Sequence, residues 1–194
     1  MLGEARLRAH EAALPSLEAD VLSWLTRASW IAGRWDDAMS VATEAVEILD
    51  GLPESPELAR ALARRSQMEM LRGLPTVEEH SVEAIEVARR VGDRFAEANA
   101  RINLSTSRVM RGQEPDEAET LDIIDSSVAA GAYDQAFRAV VNYLWSAGPY
   151  VPVDRLAASI DSALTRIGDA SSQLETYNEY LMLSRAKFLW IPSG

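Results

Sequence analysis

Glycines punctuate this sequence in two interleaved series of nearly equal spacing. Gly33, Gly73, Gly112 and Gly148 fall 40, 39 and 36 residues apart, and Gly51, Gly92, Gly131 and Gly168 fall 41, 39 and 37 apart. A residue without a Cβ ends a helix readily, because it adopts the left-handed conformation that a C-terminal cap requires. Two series sharing one period predict a repeated two-helix unit of about forty residues.

The segments between the stops have helical chemistry. Val21, Leu22, Leu25, Ala28 and Ala32 recur at spacings of three and four, as do Ala38, Val41, Ala42, Ala45, Val46 and Leu49. Small residues on such a face let two helix axes approach closely. Start signals agree: Ser55 precedes Pro56, while Thr76 with Glu79 and Ser172 with Glu175 have capping-box spacing. Helices are thus predicted at 17–32, 35–50, 56–72, 76–91, 94–111, 115–130, 132–147, 152–167 and 172–190. That is an odd number, although a hairpin buries its apolar side only against the next one. The chain stops at "KFLWIPSG", where another glycine and second helix are expected, and "MLGEARLRAHEAALP" reads as the end of a preceding helix. The expectation is a single helical-repeat domain over 1–194, cut from a longer multidomain protein.

Composition removes several kinds of chemistry. The 194 residues include no cysteine, which excludes disulfides, thiolate zinc sites and cysteine nucleophiles. His10 and His80 lie far apart with no second ligand in reach and read as surface residues. A net charge of −11 argues against direct contact with nucleic acid, which needs a basic stripe. Arg60, Arg64 and Arg65 sit among glutamates, and the sole lysine, Lys187, follows no glycine-rich phosphate loop. With no run of eighteen apolar residues and a charged N-terminus, neither a membrane span nor an export signal is expected, and a cytoplasmic location follows. Asp36-Asp37 and the pair Asp122 and Asp125 lack the partners that acid–base or metal chemistry demands, so no enzyme activity, cofactor or metal is expected.

The stretch "WIAGRWDDAMSVATEAVEI" resembles the tetratricopeptide signature, with Trp30, Gly33, Trp35, Ala38 and Ala45 in order. Later units depart from it. Val77 and Ala84, then Ala118 and Asp125, take the two small-residue positions, and Leu156 replaces the first alanine of the fourth unit. The resemblance implies a right-handed α-α superhelix of about 4.5 hairpins. The long period, with "ARRVGDRFAEANARINLS", "EPDEA" and "AVVNYLW", is similar to the helical-repeat region of large bacterial LuxR-type, STAND-like regulators, which join an ATPase module to a C-terminal helix-turn-helix; comparable arrays follow ATPase modules in some bacterial cyclases. This likeness implies a non-catalytic interaction or sensor segment. It would receive a protein, a peptide, the parent's own ATPase module or a small-molecule inducer, and pass that event to modules outside these residues.

The same resemblance places the first helix of each unit on the concave side. Asp20, Ser23, Arg27 and Trp30 in the first unit, and Asn99, Ile102, Thr106 and Val109 in the third, would line a groove for a peptide. Trp24, Trp30 and Trp145 are further candidates for a binding surface, whereas Trp35 matches an aromatic that the motif uses for packing. Asn103 and Asn142, 39 apart, read as residues that satisfy backbone polar groups. Two other readings are a receptor holding an effector near Gly148, Pro149 and Pro152, and a homo-oligomer joined through "LMLSRAKFLWI".

Overall fold

The computed structural model describes residues 1–168, all in helices and the turns between them. The chain divides into two compact units, Met1–Ser107 and Arg108–Gly194. The predicted helix at 172–190, its Ser172 and Glu175 cap, Lys187, Trp190 and the "LMLSRAKFLWI" segment lie outside the described residues.

The first unit holds α1 (Leu2–Glu11), α2 (Pro15–Ile31), α3 (Trp35–Leu49), α4 (Pro56–Arg72), α5 (Val77–Val91) and most of α6 (Arg94–Met110). Each observed helix from α2 onward lies within two residues of its predicted bounds. Neighbours pack in a regular order: α2 against α1, α3 and α4, and α4 against α3 and α5. Ala19, Leu22, Ala45, Leu49 and Ala61 join α2, α3 and α4, with Leu25, Val41 and Leu58 packed on them. A second cluster, Ala59, Leu62, Ala63, Ala84, Ile85, Ala88, Ala96 and Ala100, joins α4, α5 and α6. Alanine dominates both contacts because close helix axes leave no room for longer side chains. Burying Leu22 or Leu62 in full contributes about 1.5–3 kcal/mol each.

Among the described residues the second unit contains α7 (Glu117–Ala129), α8 (Tyr133–Ala147) and α9 (Val153–Ile167), each packed against the other two. Ile123, Ile124, Phe137, Val140, Leu144, Leu156 and Ile160 are buried there.

The predicted stops hold with one exception. Seven of the eight glycines have positive φ, from 60° at Gly168 to 87° at Gly112. Gly148 instead has φ −48° and ψ −39°, and its N–H still donates to Leu144 O at 3.1 Å. A residue before proline is normally driven out of the right-handed region by a clash involving its Cβ. Gly148 precedes Pro149 and has no Cβ, so the helical turn runs on before the chain leaves.

Two other local expectations are corrected. Thr76 does not cap α5: its backbone is already right-handed, with φ −73° and ψ −12°, and its hydroxyl makes no cap bond. Ser55 does cap α4, accepting from Leu58 N at 3.2 Å. Asp93 and Asp116, not anticipated as caps, accept from Ala96 N and Glu119 N at 2.9 Å each. In α7, Ala118 and Asp125 are exposed, and the buried pair seven apart is Thr120 and Ser127. The longer connection after Gly112 delays the helix, so the inward register starts two residues later than the sequence suggests.

Candidate interaction surfaces

On α2, positions about 100° apart per residue sort into a core side and an open side. Ala19, Leu22, Thr26 and Ser29 are buried, while Leu17 at 50%, Trp24 at 61% and Ile31 at 70% exposure share the opposite stripe with Ala28. Asp20, Ser23 and Arg27 flank this stripe and are half-buried. Trp30 turns the other way and packs on Ala38, Ala42 and Met68.

The positions one unit on behave differently. Met70, Gln67 and Ala63 on α4, each 40 residues after Trp30, Arg27 and Ser23, are all buried. Residues of α6, Ala96, Ala100 and Asn103, pack on α4, so Ala63 and Gln67 are buried where Ser23 and Arg27 on α2 are half-buried. Asn99, Ile102 and Val109 on α6 are likewise buried, at 4%, 2% and 4% exposure, and present no face to a partner; Thr106 is half-buried. The structure thus keeps Asp20, Ser23 and Arg27 as accessible candidates and withdraws Asn99, Ile102 and Val109. Helical spacing selects a stripe, but the neighbouring helices decide whether it is covered.

Asn103 on α6 is fully buried and donates its amide to Ala63 O at 3.0 Å, Ser66 Oγ at 2.8 Å and Asn99 Oδ1 at 3.3 Å. Asn142 is half-buried. Trp145, on α8 in the second unit, is 61% exposed, and Trp35 is 44% exposed.

Neither histidine is an isolated surface group. His80 Nδ1 lies 2.7 and 2.9 Å from the two carboxylate oxygens of Glu69, whose side chain is 7% exposed. His10 Nδ1 lies 3.1 Å from Oε2 of buried Glu18, which also faces Arg6 at 3.6 Å. No local spacing announces these pairs, because each joins two different helices.

Charge around Asp20 is unbalanced. Arg60 Nε is held by Asp93 Oδ2 at 2.7 Å. Burial lifts the Asp20 carboxyl above its ordinary range; Arg60 opposes the shift, and Glu57 and Asp93 add to it. At the exposed Glu54, by contrast, a two-pronged bond from Arg90, 2.8 Å at each prong, lowers the carboxyl.

In the second unit a crevice lies among Glu117, Thr120, Ile124, Tyr143, Ser159 and Ala163. Ser159 Oγ is 2.6 Å from Glu117 Oε1, and Arg155 Nη2 is 3.5 Å from Glu117 Oε2. Burial first, then the Glu117 charge, raises the Tyr143 hydroxyl, while its bond with Ser159 and the charge of Arg155 pull it back. The crevice has room for about one water, far less than a metabolite needs. It is lined by α7, α8 and α9 and not by Gly148, Pro149 or Pro152, the place expected for an effector.

Among the described residues no three or more carboxylate or histidine side chains gather as a metal site, and no helix is long and apolar enough to cross a membrane. No protein-family model matches the chain, and no curated protein matches it in sequence.

Proposed function

We propose that the chain is a tetratricopeptide-like array, a right-handed superhelix of about 4.5 hairpins, that acts as a non-catalytic interaction or sensor segment. Its setting is a bacterial LuxR-type regulator, with the ATPase and helix-turn-helix modules elsewhere in the parent and the array in the cytoplasm. The observation that carries the array is a set of side-chain bonds about one period long within both units. Arg72 to Asp36 and Arg90 to Glu54 span 36 residues, Asn103 to Ala63 spans 40, Ser159 to Glu117 spans 42 and Arg166 to Asp125 spans 41. Equivalent places on successive hairpins are neighbours in a solenoid, and such bonds follow from stacking.

The functional part is supported by the open α2 stripe, an apolar surface of the kind that marks a protein contact. Signalling through it requires that a partner bind one state of the parent better than another. Two experiments test the reading. The reading frame around the gene segment is expected to encode an ATPase module before the array and a helix-turn-helix after Gly194. In that parent, Trp24→Ala with Ile31→Ser is expected to change the response of a transcriptional reporter while circular dichroism of the array is unaltered. An unchanged reporter, or turnover of a substrate by the isolated segment, overturns it.

A further inference from the structure

We propose that the open face of α2 docks a basic amphipathic helix of a partner protein, with a Lys or Arg head between Asp20 and Glu57 and an apolar stripe on Trp24 and Ile31. The inference rests on reading the chain as an interaction segment and names the chemistry of its partner.

The apolar half of the argument is the stripe itself. Leu17, Trp24 and Ile31 recur every seven residues, so they form a straight ridge along two turns or more, the shape a second helix follows. All three are at least half exposed, and Ala28 between Trp24 and Ile31 leaves a hollow for a partner side chain.

The charged half lies at the flank. Asp20 is one turn before Trp24 on the same face, and Glu57 on the adjoining α4 is close enough to act on its charge. Neither carboxylate takes part in an ion pair or hydrogen bond among the described residues. Arg60, whose charge acts on Asp20, is itself engaged by buried Asp93. Burial weighs most on the Asp20 charge, and Glu57 and Asp93 add repulsion that Arg60 opposes, so a cation from outside lessens the penalty. The same cation reaches the Trp24 ring, where a Lys or Arg gains a further cation–π attraction. Arg27, one turn beyond Trp24, sets a direction: it repels a second basic residue there, so the partner's charge is confined to the Asp20 end.

The test uses the whole chain and two labelled synthetic helices of about 20 residues with the same leucine stripe, one bearing lysines and one glutamates at the flanking positions. Fluorescence anisotropy is expected to show the lysine helix bound and the glutamate helix weaker by about tenfold or more. Asp20→Asn with Glu57→Gln, and separately Trp24→Ala, should each weaken the lysine helix by about tenfold. Trp24→Phe, which keeps an aromatic face, should retain most of the binding. Glu47→Gln with Glu79→Gln removes the same net charge elsewhere and should leave the affinity within about twofold. Equal loss in this control, no loss in the Asp20 and Glu57 variant, or no binding of the lysine helix overturns the proposal. A helix that binds but ignores every α2 substitution also overturns docking on α2, yet leaves the wider interaction reading to be decided by the reporter in the parent protein.

Discussion

The side-chain amide of Asn103 on α6 donates to the main-chain carbonyl of Ala63 on α4 at 3.0 Å, across 40 residues of sequence. Its other contacts, Ser66 Oγ and Asn99 Oδ1, are also buried or nearly so. Three acceptors lie within reach of the two N–H groups of one amide, so the donor fixes how α6 sits on α4 at a place where the surrounding alanines give little directional preference.

Replacing Asn103 tests that role. Asn103→Ala leaves a cavity and removes the donor from buried acceptors, at a cost of about 2–3 kcal/mol. Asn103→Asp is worse at neutral pH, because it turns a carboxylate toward Ala63 O and Asn99 Oδ1; about 3 kcal/mol or more is expected. Urea denaturation followed by circular dichroism measures both, and a loss below that of a typical surface change contradicts the account.

The two histidine–glutamate pairs should differ in worth. His80→Ala abandons the buried Glu69 carboxylate, and about 1–2 kcal/mol of stability should go with it, screening included. His10→Ala should cost less than about 0.5 kcal/mol, since His10 is 73% exposed and Glu18 keeps Arg6 nearby. A double-mutant cycle with Glu69→Leu separates coupling from packing: the pair replaced together should be less damaging than the sum of the single changes. Equal effects at His10 and His80 would refute the distinction.

Much of the fold was legible because its signals are local. Glycine after an apolar periodic run marks a stop without reference to any other helix, and the observed bounds follow. The polar task of Asn103 was also readable, as a buried asparagine in a helical array has few other roles. The accessible surface was less readable. Ser23 and Ile102 stand at equivalent places, yet one is half-exposed and the other 2% exposed, because burial depends on which helices lie alongside. Ile31, the most exposed residue of the α2 stripe, gave no signal beyond its place in an apolar run. Pairs such as Arg60 with Asp93 and His80 with Glu69 are invisible to spacing rules for one helix, since they close only when two helices meet.

Two hydroxyls should be dispensable. Ser81 Oγ on α5 and Ser127 Oγ on α7 are buried without a hydrogen-bond partner among the described residues. Ser127 stands seven residues after Thr120, in a register that alanine fills at Ala45, Ala84 and Ala163. Changing either serine to alanine removes an unsatisfied polar group and favours the helix, so each is expected to stabilise by about 0.5–1.5 kcal/mol. The midpoint of urea unfolding should rise with its slope unchanged. A fall at both positions would mean that the hydroxyls are bonded in solution.

Asp20 gives the fold a pH dependence of unusual sign for a carboxylate. Its folded-state pKa is raised above 3.8, first by burial and then by Glu57 and Asp93, with Arg60 opposing. Between the unfolded value and the raised folded value, the folded chain therefore binds more protons than the unfolded chain. Stability from this group falls as pH rises through that window, and the full penalty is present above it. Asn at position 20 cannot ionise, so Asp20→Asn should stabilise the chain at neutral pH, by no more than about 0.5 kcal/mol for a partly exposed, screened site. The gain should vanish as pH drops below the unfolded carboxyl range, where the native residue is already neutral. Thermal melts of the two proteins at matched ionic strength across that range decide the matter: a constant difference, or one that grows toward acid, contradicts a carboxyl whose charged form is disfavoured first by burial and then by its acidic neighbours.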